Sequence, residues 1–283
     1  AMLLGLAFIW GTSFILMKRG LESFSKYQVA GFRIFIAFLV LLPFTFKHIK
    51  KINKKNFWYL AHVGFIGNAI PAFLFTTAQT KINSSLAGML NALTPLFALI
   101  LGVWIFKTRT RWLNILGVII GFIGSLGLFV QDISIAGLNQ NIFGIFVVIA
   151  TFCYGMNVNV VKEKLKDLNG LVITYLAFLI TGPAAGIFLL FTDFSPVWHT
   201  PRWEINFLYV AILAIFSSAV AVLGINVLIQ KTSALFASSV TYIIPIFAIL
   251  WGMFDGEKFS TVQIISMIVV LTGVYLVNKR VKL

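Results

Sequence analysis

Residues 84–106, with the sequence SSLAGMLNALTPLFALILGVWIF, contain no charged side chain. Residues 233–254, with the sequence SALFASSVTYIIPIFAILWGMF, are equally free of charge. A helix needs about 20 mainly apolar residues to cross the hydrocarbon core of a bilayer. Each stretch is therefore predicted to form a membrane-spanning helix, and each contains a proline, Pro95 or Pro245, near its middle.

Ten stretches of this kind follow one another along the chain. They cover residues 2–20, 25–46, 57–80, 84–106, 111–129, 142–161, 171–192, 206–230, 233–254 and 260–278. Of all residues, 60% are hydrophobic and 11% are charged, whereas about 25% are charged in a typical soluble domain. So few charges could not cover the surface of a soluble protein of this size. The sequence therefore predicts an all-α membrane protein with ten transmembrane helices, surrounded by a lipid bilayer.

The two proline-containing stretches belong to a longer internal repeat. Residues 81–129 align without gaps on residues 231–279 at an offset of 150. The identical positions are Lys81/Lys231, Ala87/Ala237, Pro95/Pro245, Phe97/Phe247, Ala98/Ala248, Gly102/Gly252, Ile115/Ile265 and Leu126/Leu276. Helix 1 also resembles helix 6 at an offset of 144, where Trp10-Gly11 aligns with Tyr154-Gly155 and Lys18 with Lys162.

Helices 1–5 are thus predicted to pair with helices 6–10. Because five is an odd number, the second half must enter the membrane in the opposite orientation. The prediction is an inverted 5+5 repeat, in which residues 1–135 and 136–283 form the two halves of one membrane domain. In transporters of this construction the substrate site lies near the midplane, between the halves.

The net charge is +14, from 22 Lys and Arg against 8 Asp and Glu. A basic balance often indicates nucleic-acid binding. Here the basic residues form short clusters between apolar stretches, so no nucleic-acid partner is expected. Loops on the side of the N-terminus contain 15 Lys and Arg, and loops on the other side contain 6. Since cytoplasmic loops are enriched in basic residues, both termini are predicted to be cytoplasmic in a multi-pass protein of a bacterial inner (plasma) membrane.

Several short motifs resemble those of EamA-type carriers in the drug/metabolite transporter superfamily. They are Ile9-Trp10-Gly11-Thr12-Ser13-Phe14, Gly31-Phe32-Arg33, Asn91-Ala92-Leu93-Thr94-Pro95-Leu96, Tyr242-Ile243-Ile244-Pro245-Ile246 and Gly256-Glu257. The first half departs from the pattern, because Phe106-Lys107 stands where such carriers typically have Gly-Glu. The resemblance extends over essentially the whole chain. It implies ten helices, cytoplasmic termini, an inverted repeat and the export of small metabolites.

Neutral polar and aromatic residues share helix faces in both predicted halves. Trp10, Ser13 and Phe14 follow helical spacing on helix 1, and Ser238 and Tyr242 do so on helix 9. Such a surface suits a cavity for an amphipathic organic molecule, although ordinary helix packing would explain each residue singly. The expected substrate-binding residues are Trp10, Ser13, Phe14, Arg33, Asn91, Pro95, Tyr154, Asn157, Ser238, Tyr242 and Pro245.

The two prolines have a specific reason to be in that set. A proline inside a helix cannot donate a hydrogen bond to the carbonyl four residues earlier. Pro95 and Pro245 are therefore expected to free the carbonyls of Asn91 and Thr241. At membrane depth a free carbonyl needs water, a side chain or a ligand. Packing alone could also fix a bend at either proline.

Arg33 is the only charged residue deep within a predicted span. An intramembrane charge is costly and should face protein or water rather than lipid. It could attract a substrate carboxylate or phosphate, or it could be structural and bind helix carbonyls. The eight acidic residues all fall in predicted loops or at helix ends. A carboxylate proton relay across the membrane centre is therefore not expected.

Two classes of function remain open for such a chain. A carrier that works by alternating access fits the internal repeat, whereas a membrane-embedded enzyme would need clustered nucleophiles, acids or metal ligands. No such motif is present, so we expect no catalytic residue, no metal and no cofactor. The neutral, aromatic-rich faces favour the export of amino acids or related small molecules. Export of amphiphilic drugs is the alternative, and the carrier is expected to be a monomer or a homodimer.

Overall fold

The computed structural model describes residues 2–82, 84–127, 141–254 and 261–278. Regular structure within these residues is helical. The main helices are α1 (Met2–Gly20), α2 (Lys26–Thr45), α3 (Lys54–Gln79), α4 (Ser84–Asn91 and Thr94–Trp104), α5 (Trp112–Gly127), α6 (Gly144–Lys164), α7 (Gly170–Leu190), α8 (Trp203–Lys231), α9 (Ala234–Ser238 and Val240–Phe254) and α10 (Thr261–Asn278). Short helical turns at Ile49–Lys51, Asn141–Phe143 and Ser195–Trp198 lie between them.

Six of these helices are long and apolar enough to cross a membrane, namely α1, α2, α3, α6, α7 and α8. The described parts of α4, α5, α9 and α10 contain shorter apolar helices. Each of the ten predicted stretches thus coincides with a continuous or interrupted apolar helix. The prediction of an all-α membrane protein is confirmed for the described residues. The expected boundary between the halves and the Gly256-Glu257 motif lie outside them.

Side-chain caps fix the first residues of α2 and α3. The Ser25 side chain accepts a hydrogen bond from the backbone N–H of Gln28, whose side chain accepts one from the Ser25 N–H. Asn53 and Asn56 make the same reciprocal pair. Such a capping box satisfies N–H groups that the start of a helix leaves unpaired. α3 therefore begins at Lys54, ahead of the predicted apolar stretch.

α3 and α8 each contain a π-helical segment, Phe65–Ala69 in α3 and Leu213–Val220 in α8. At the offset of 150 between the repeats, the first segment falls inside the second. π-helical turns occur often at functional sites. Their hydrogen bonds join residues five apart instead of four, so the set of carbonyl groups paired within the helix differs from that of an α-helix. The Ser217 carbonyl accepts a hydrogen bond from Trp10 Nε1 of α1 at 3.1 Å. This hydrogen bond links the π-helical turn of α8 to α1.

α4 and α9 are both interrupted, but differently with respect to their prolines. α4 breaks between Asn91 and Thr94, which places Pro95 in the first turn of the second segment. There a proline removes no helical hydrogen bond. The Thr94 hydroxyl donates to the Asn91 carbonyl at 2.9 Å, so this carbonyl has a side-chain partner, one of the three kinds of partner expected for it. Pro245 lies inside the continuous segment Val240–Phe254, as predicted.

Helices from the two halves of the chain pack on one another. Extensive contacts join α5 to α10 and α2 to α7, and further contacts join α4 to α6 and α1 to α9. Suppose that each helix is exchanged for the one five places along the chain. This exchange leaves the pairs α5–α10 and α2–α7 unchanged, and it converts the pair α4–α6 into the pair α9–α1. The helix pairs of the bundle therefore occur in matched sets.

The contact between α5 and α10 is one of backbone against backbone. Small residues at the spacing of Gly117, Gly121 and Gly124 in α5 predict close packing against another helix, and this is confirmed. A Cβ atom on Gly117 would lie 2.7 Å from the backbone nitrogen of Val277 in α10. One on Gly273 of α10 would meet the backbone of Gly121. Only glycine fits at such an approach.

Candidate functional site

A cavity with a water-accessible volume of about 110 Å³ lies among α1, α2, α3, α4, α6, α8 and α9. Its volume is sufficient for several water molecules, since one needs at least about 10–15 Å³ on this measure. Most of the residues expected at a substrate site line it. They are Trp10, Ser13, Phe14, Arg33, Asn91, Tyr154, Asn157 and Ser238.

Arg33 supplies the positive charge of the cavity. Its Nε donates a hydrogen bond to the Ser218 hydroxyl of α8 at 3.3 Å. Among the residues that the structure describes, no carboxylate forms an ion pair with Arg33, and no acidic side chain lines the cavity. The guanidinium has five N–H donors, so it retains donors that an anionic group could use.

Three buried oxygen atoms of cavity-lining residues have no hydrogen-bond partner among the described residues. They are Oδ1 of Asn157, Oγ of Ser217 and Oδ1 of Asn226. Asn226 is 1% exposed and Ser217 is 2% exposed. A buried polar group left without a partner costs about 1–3 kcal/mol. Water or a hydrogen-bond donor of a ligand in the cavity would relieve that cost.

Neighbouring groups hold two of these oxygen atoms in position. The Nδ2 of Asn226 donates to the Thr174 hydroxyl of α7 at 2.9 Å, which leaves its Oδ1 as the free end of the amide. The side chain of Asn157 packs against Gly67 in the π-helical turn of α3, where a Cβ atom would overlap it. The two asparagines therefore present fixed acceptors and do not rotate freely.

Aromatic rings form a further part of the cavity wall. Phe75 of α3 lies with its ring centre 6.3 Å from that of Phe14 and 6.1 Å from that of Tyr154. These side chains come from α3, α1 and α6, and all three line the cavity. The site thus combines one cation, several neutral acceptors and an aromatic surface, which suits a small molecule with both charged and apolar parts.

Several cavity residues were not among the substrate-binding residues expected from the sequence. Ser217 and Ser218 occupy the π-helical turn of α8, and Thr94 and Thr241 belong to the interrupted helices α4 and α9. A Ser-Ser pair inside an otherwise apolar span was a usable signal for the first two. The threonines gave none, because a threonine in a membrane helix often bonds only to its own backbone.

Many cavity-lining residues occupy positions that align at the offsets found in the sequence. Positions of α1 and α6 match at the offset of 144, and positions of α3, α4, α8 and α9 match at 150. Both members of each pair line the cavity, the pairs being Trp10/Tyr154, Ser13/Asn157, Phe14/Val158, Gly67/Ser217, Asn68/Ser218, Ala72/Val222, Phe75/Ile225, Asn91/Thr241 and Thr94/Ile244. Arg33 is an exception, because no residue of α7 lines the cavity.

Three expected residues are absent from the cavity lining, namely Pro95, Tyr242 and Pro245. The Tyr242 hydroxyl donates to the Val118 carbonyl of α5 at 2.9 Å, and its ring packs on Gly121. The spacing of Ser238 and Tyr242 predicted a shared face. α9 is interrupted between them at Ser239, so helical spacing does not apply and the tyrosine turns toward α5.

Replacing Tyr242 by Phe should therefore weaken the fold and leave transport intact. The change removes one buried hydrogen bond, which contributes about 0.5–1.5 kcal/mol, and keeps the ring against Gly121. We expect a lower melting temperature of the purified protein with an unchanged transport rate at temperatures well below it. A loss of transport at normal stability would return Tyr242 to the substrate site.

A bundle of apolar helices around a central cavity with a few polar groups has the construction of a membrane transport protein. The model of the EamA-like transporter family matches residues 1–130 and 142–279. The chain belongs to the EamA-like transporter family. The resemblance seen in the short motifs is thereby confirmed.

Individual relatives agree with this assignment. An uncharacterized inner membrane transporter of Escherichia coli strain K12, YedA, is 27% identical over 98% of this chain and 89% of its own length. A WAT1-related chloroplastic protein of Arabidopsis thaliana is 26% identical over 96% of this chain and 67% of its own length. One crystal structure superposes with a TM-score of 0.75 at 14% identity and covers 97% of this chain and 94% of the other. It supports the fold alone.

Proposed function

We propose that this protein exports amino acids or closely related small molecules by alternating access, with the central cavity as the substrate site. The observation that supports this most strongly is the pairing of one arginine with several unpartnered neutral acceptors in a single cavity. Arg33 would bind a carboxylate, preferably in the bidentate geometry that guanidinium groups favour. The acceptors of Asn157 and Asn226 would bind an ammonium group.

The same chemistry argues against a cationic drug as the substrate. A cation in this cavity would lie near Arg33 without a compensating carboxylate from the described residues. A zwitterion avoids that repulsion because it brings its own negative group to the arginine. The rings of Phe14, Phe75 and Tyr154 would then contact the side chain of the substrate.

We also propose that ten spans form an inverted 5+5 repeat with a two-fold axis in the membrane plane. Three observations support it: the matched helix pairs, the π-helical segments at equivalent positions, and the paired cavity lining. The family model matches two segments separated at 131–141, next to the predicted boundary of the halves. Rocking of one half against the other would expose the cavity to each face in turn.

The orientation follows from the charges of the loops. The excess of 15 over 6 basic residues on the N-terminal side favours cytoplasmic termini. Relatives described as inner membrane transporters support the same membrane for this protein. In this orientation the loop between α2 and α3, with its exposed lysines, faces the cytoplasm, and the loop between α7 and α8 faces outward.

Cysteine labelling tests that orientation directly. In a Cys153→Ala background, Lys50→Cys should be protected from a membrane-impermeant thiol reagent in intact cells, whereas His199→Cys should react. Both native residues are exposed, so burial cannot cause the difference. Labelling of the cysteine at position 50 from outside intact cells would reverse the orientation.

The function itself is tested by reconstitution. Purified protein in liposomes should accumulate or release at least one radiolabelled amino acid faster than empty liposomes. A panel of neutral, aromatic, acidic and basic amino acids would show which side chains the aromatic wall accepts. Transport of cationic amphiphiles without any amino acid would refute the substrate class and leave the family assignment in place.

A further inference from the structure

The C-terminal ends of α6 and α8 are joined by reciprocal hydrogen bonds. Gln230 Nε2 in the last turn of α8 donates to the carbonyls of Val161 and Leu165, at 3.0 and 3.1 Å, at the end of α6. Lys162 Nζ of α6 donates to the Gln230 carbonyl at 3.0 Å. We call these residues the C-terminal clasp, because each helix caps the end of the other.

The hydrogen-bonding groups of the clasp have few other possible partners. The last carbonyls of a helix have no partner within the helix, and they form the negative end of its dipole. A lysine there is bound by charge as well as by a hydrogen bond, and Lys162 is only partly exposed. Separating α6 from α8 would release these three contacts together.

The clasp lies at one end of the cavity. Ile229, the residue before Gln230, lines the cavity, as does Val158 one turn before Lys162. In the proposed ten-span arrangement, on which this inference rests, α6 and α8 run in the same direction and end at the same membrane face. The hydrogen bond between Gln230 and Leu165 therefore lies between that face and the cavity.

Among the described residues, no such hydrogen bonds join the equivalent ends of α1 and α3. At the offsets of the repeat, Lys18 corresponds to Lys162 and Thr80 to Gln230. Both are exposed, and the Thr80 hydroxyl donates to the Thr77 carbonyl of its own helix. α6 packs along the C-terminal half of α8, whereas α1 and the C-terminal half of α3 are not among the closely packed pairs of the described residues.

We propose that the C-terminal clasp closes the transport pathway at the face where α6 and α8 end, and that it opens in each transport cycle. The structure then represents a state sealed at that face, while the opposite end, at Lys18 and Thr80, is not held in this way. The free energy of substrate binding would help to break the clasp contacts when one half rocks against the other.

Accessibility of a cavity residue measures the clasp without any substrate. The reporter is Ile225→Cys in a Cys153→Ala background, because Ile225 lines the cavity and is partly exposed. The rate of labelling by an impermeant thiol reagent is measured in inside-out and right-side-out vesicles. Gln230→Leu and Lys162→Met should each raise the rate from the clasp face about tenfold, which corresponds to the loss of about 1.4 kcal/mol.

Lys164→Met is the matched control, because Lys164 is an exposed lysine two residues further along that makes no hydrogen bond to another described residue. It should leave both rates unchanged. A converse variant, Thr80→Gln, places an amide where the second half has Gln230 and should slow labelling from the opposite face. Folding of each variant is checked by its melting temperature.

Unchanged labelling from the clasp face in both folded clasp variants would overturn the proposal. If Gln230→Leu fails to fold, Lys162→Met alone decides, since it removes only the charged contact. These outcomes are distinct from a failure of the proposed substrate, because no transported molecule enters the measurement.

Discussion

Replacement of Arg33 by Gln should reduce transport of an amino acid on the order of 30- to 100-fold while the protein still inserts and folds. The reason is the loss of a charge-assisted hydrogen bond to the substrate carboxylate, worth about 2–3 kcal/mol, at about 1.4 kcal/mol for each factor of ten. Gln cannot replace it because it is neutral. Arg33→Lys should retain part of the activity, since the positive charge remains.

Two comparisons make the Arg33 result specific. Arg109 is an exposed arginine outside the cavity, so Arg109→Gln should transport normally. An analogue of the best substrate without its carboxylate should lose little between native protein and Arg33→Gln. If Arg33 is structural, both Arg33 variants should lower the melting temperature, with no dependence on the charge of the substrate. Full transport by a stable Arg33→Gln protein would remove the residue from the mechanism.

The second large effect concerns stability, at the contact of α5 with α10. Gly273→Leu should destabilise the folded protein by about 3 kcal/mol or prevent its accumulation in the membrane. The added Cβ would meet the backbone of Gly121 and the Gly117 carbonyl, and neither can yield as a flexible side chain could. The measurement is the melting temperature in detergent, together with the yield of monodisperse protein.

Gly5→Leu in α1 is the control for the same change of residue. A Cβ atom on Gly5 has no other heavy atom within 4 Å, so the variant should keep nearly its native stability. Equal melting temperatures for the native protein and Gly273→Leu would show that α5 and α10 can separate at little cost. That outcome would contradict the close packing described for the two helices.

Much of the fold could be predicted because a membrane helix is recognisable in the sequence as a long stretch without charged residues. Eight of the ten predicted spans correspond to a described helix that has no internal break, and the ends agree within a few residues. The interruptions of α4 and α9 could not be predicted in place. A proline such as Pro95 marks a break, but the break at Ser239 follows no proline and depends on packing against other helices.

The lining of the cavity could be predicted to the extent that helical spacing held. On α1 and α6 it held, and Trp10, Ser13, Tyr154 and Asn157 all line the cavity. On α9 it failed for Tyr242, which lies beyond the interruption at Ser239 and bonds to α5. The unpartnered state of an oxygen such as Asn226 Oδ1 depends on atoms from distant helices, and no local pattern contains that information.

The π-helical segments have a consequence for changes in chain length. A π-helical turn holds more residues than an α-helical turn, so each segment stores surplus chain in the middle of a span. Removing one residue from Phe65–Ala69 would let α3 continue as an ordinary α-helix while both of its ends keep their places. The same holds for Leu213–Val220 in α8. Deletions of a single residue should therefore be tolerated by folding at these two points more readily than elsewhere in the spans. A deletion in the α8 segment would disturb the hydrogen bond between Trp10 and Ser217.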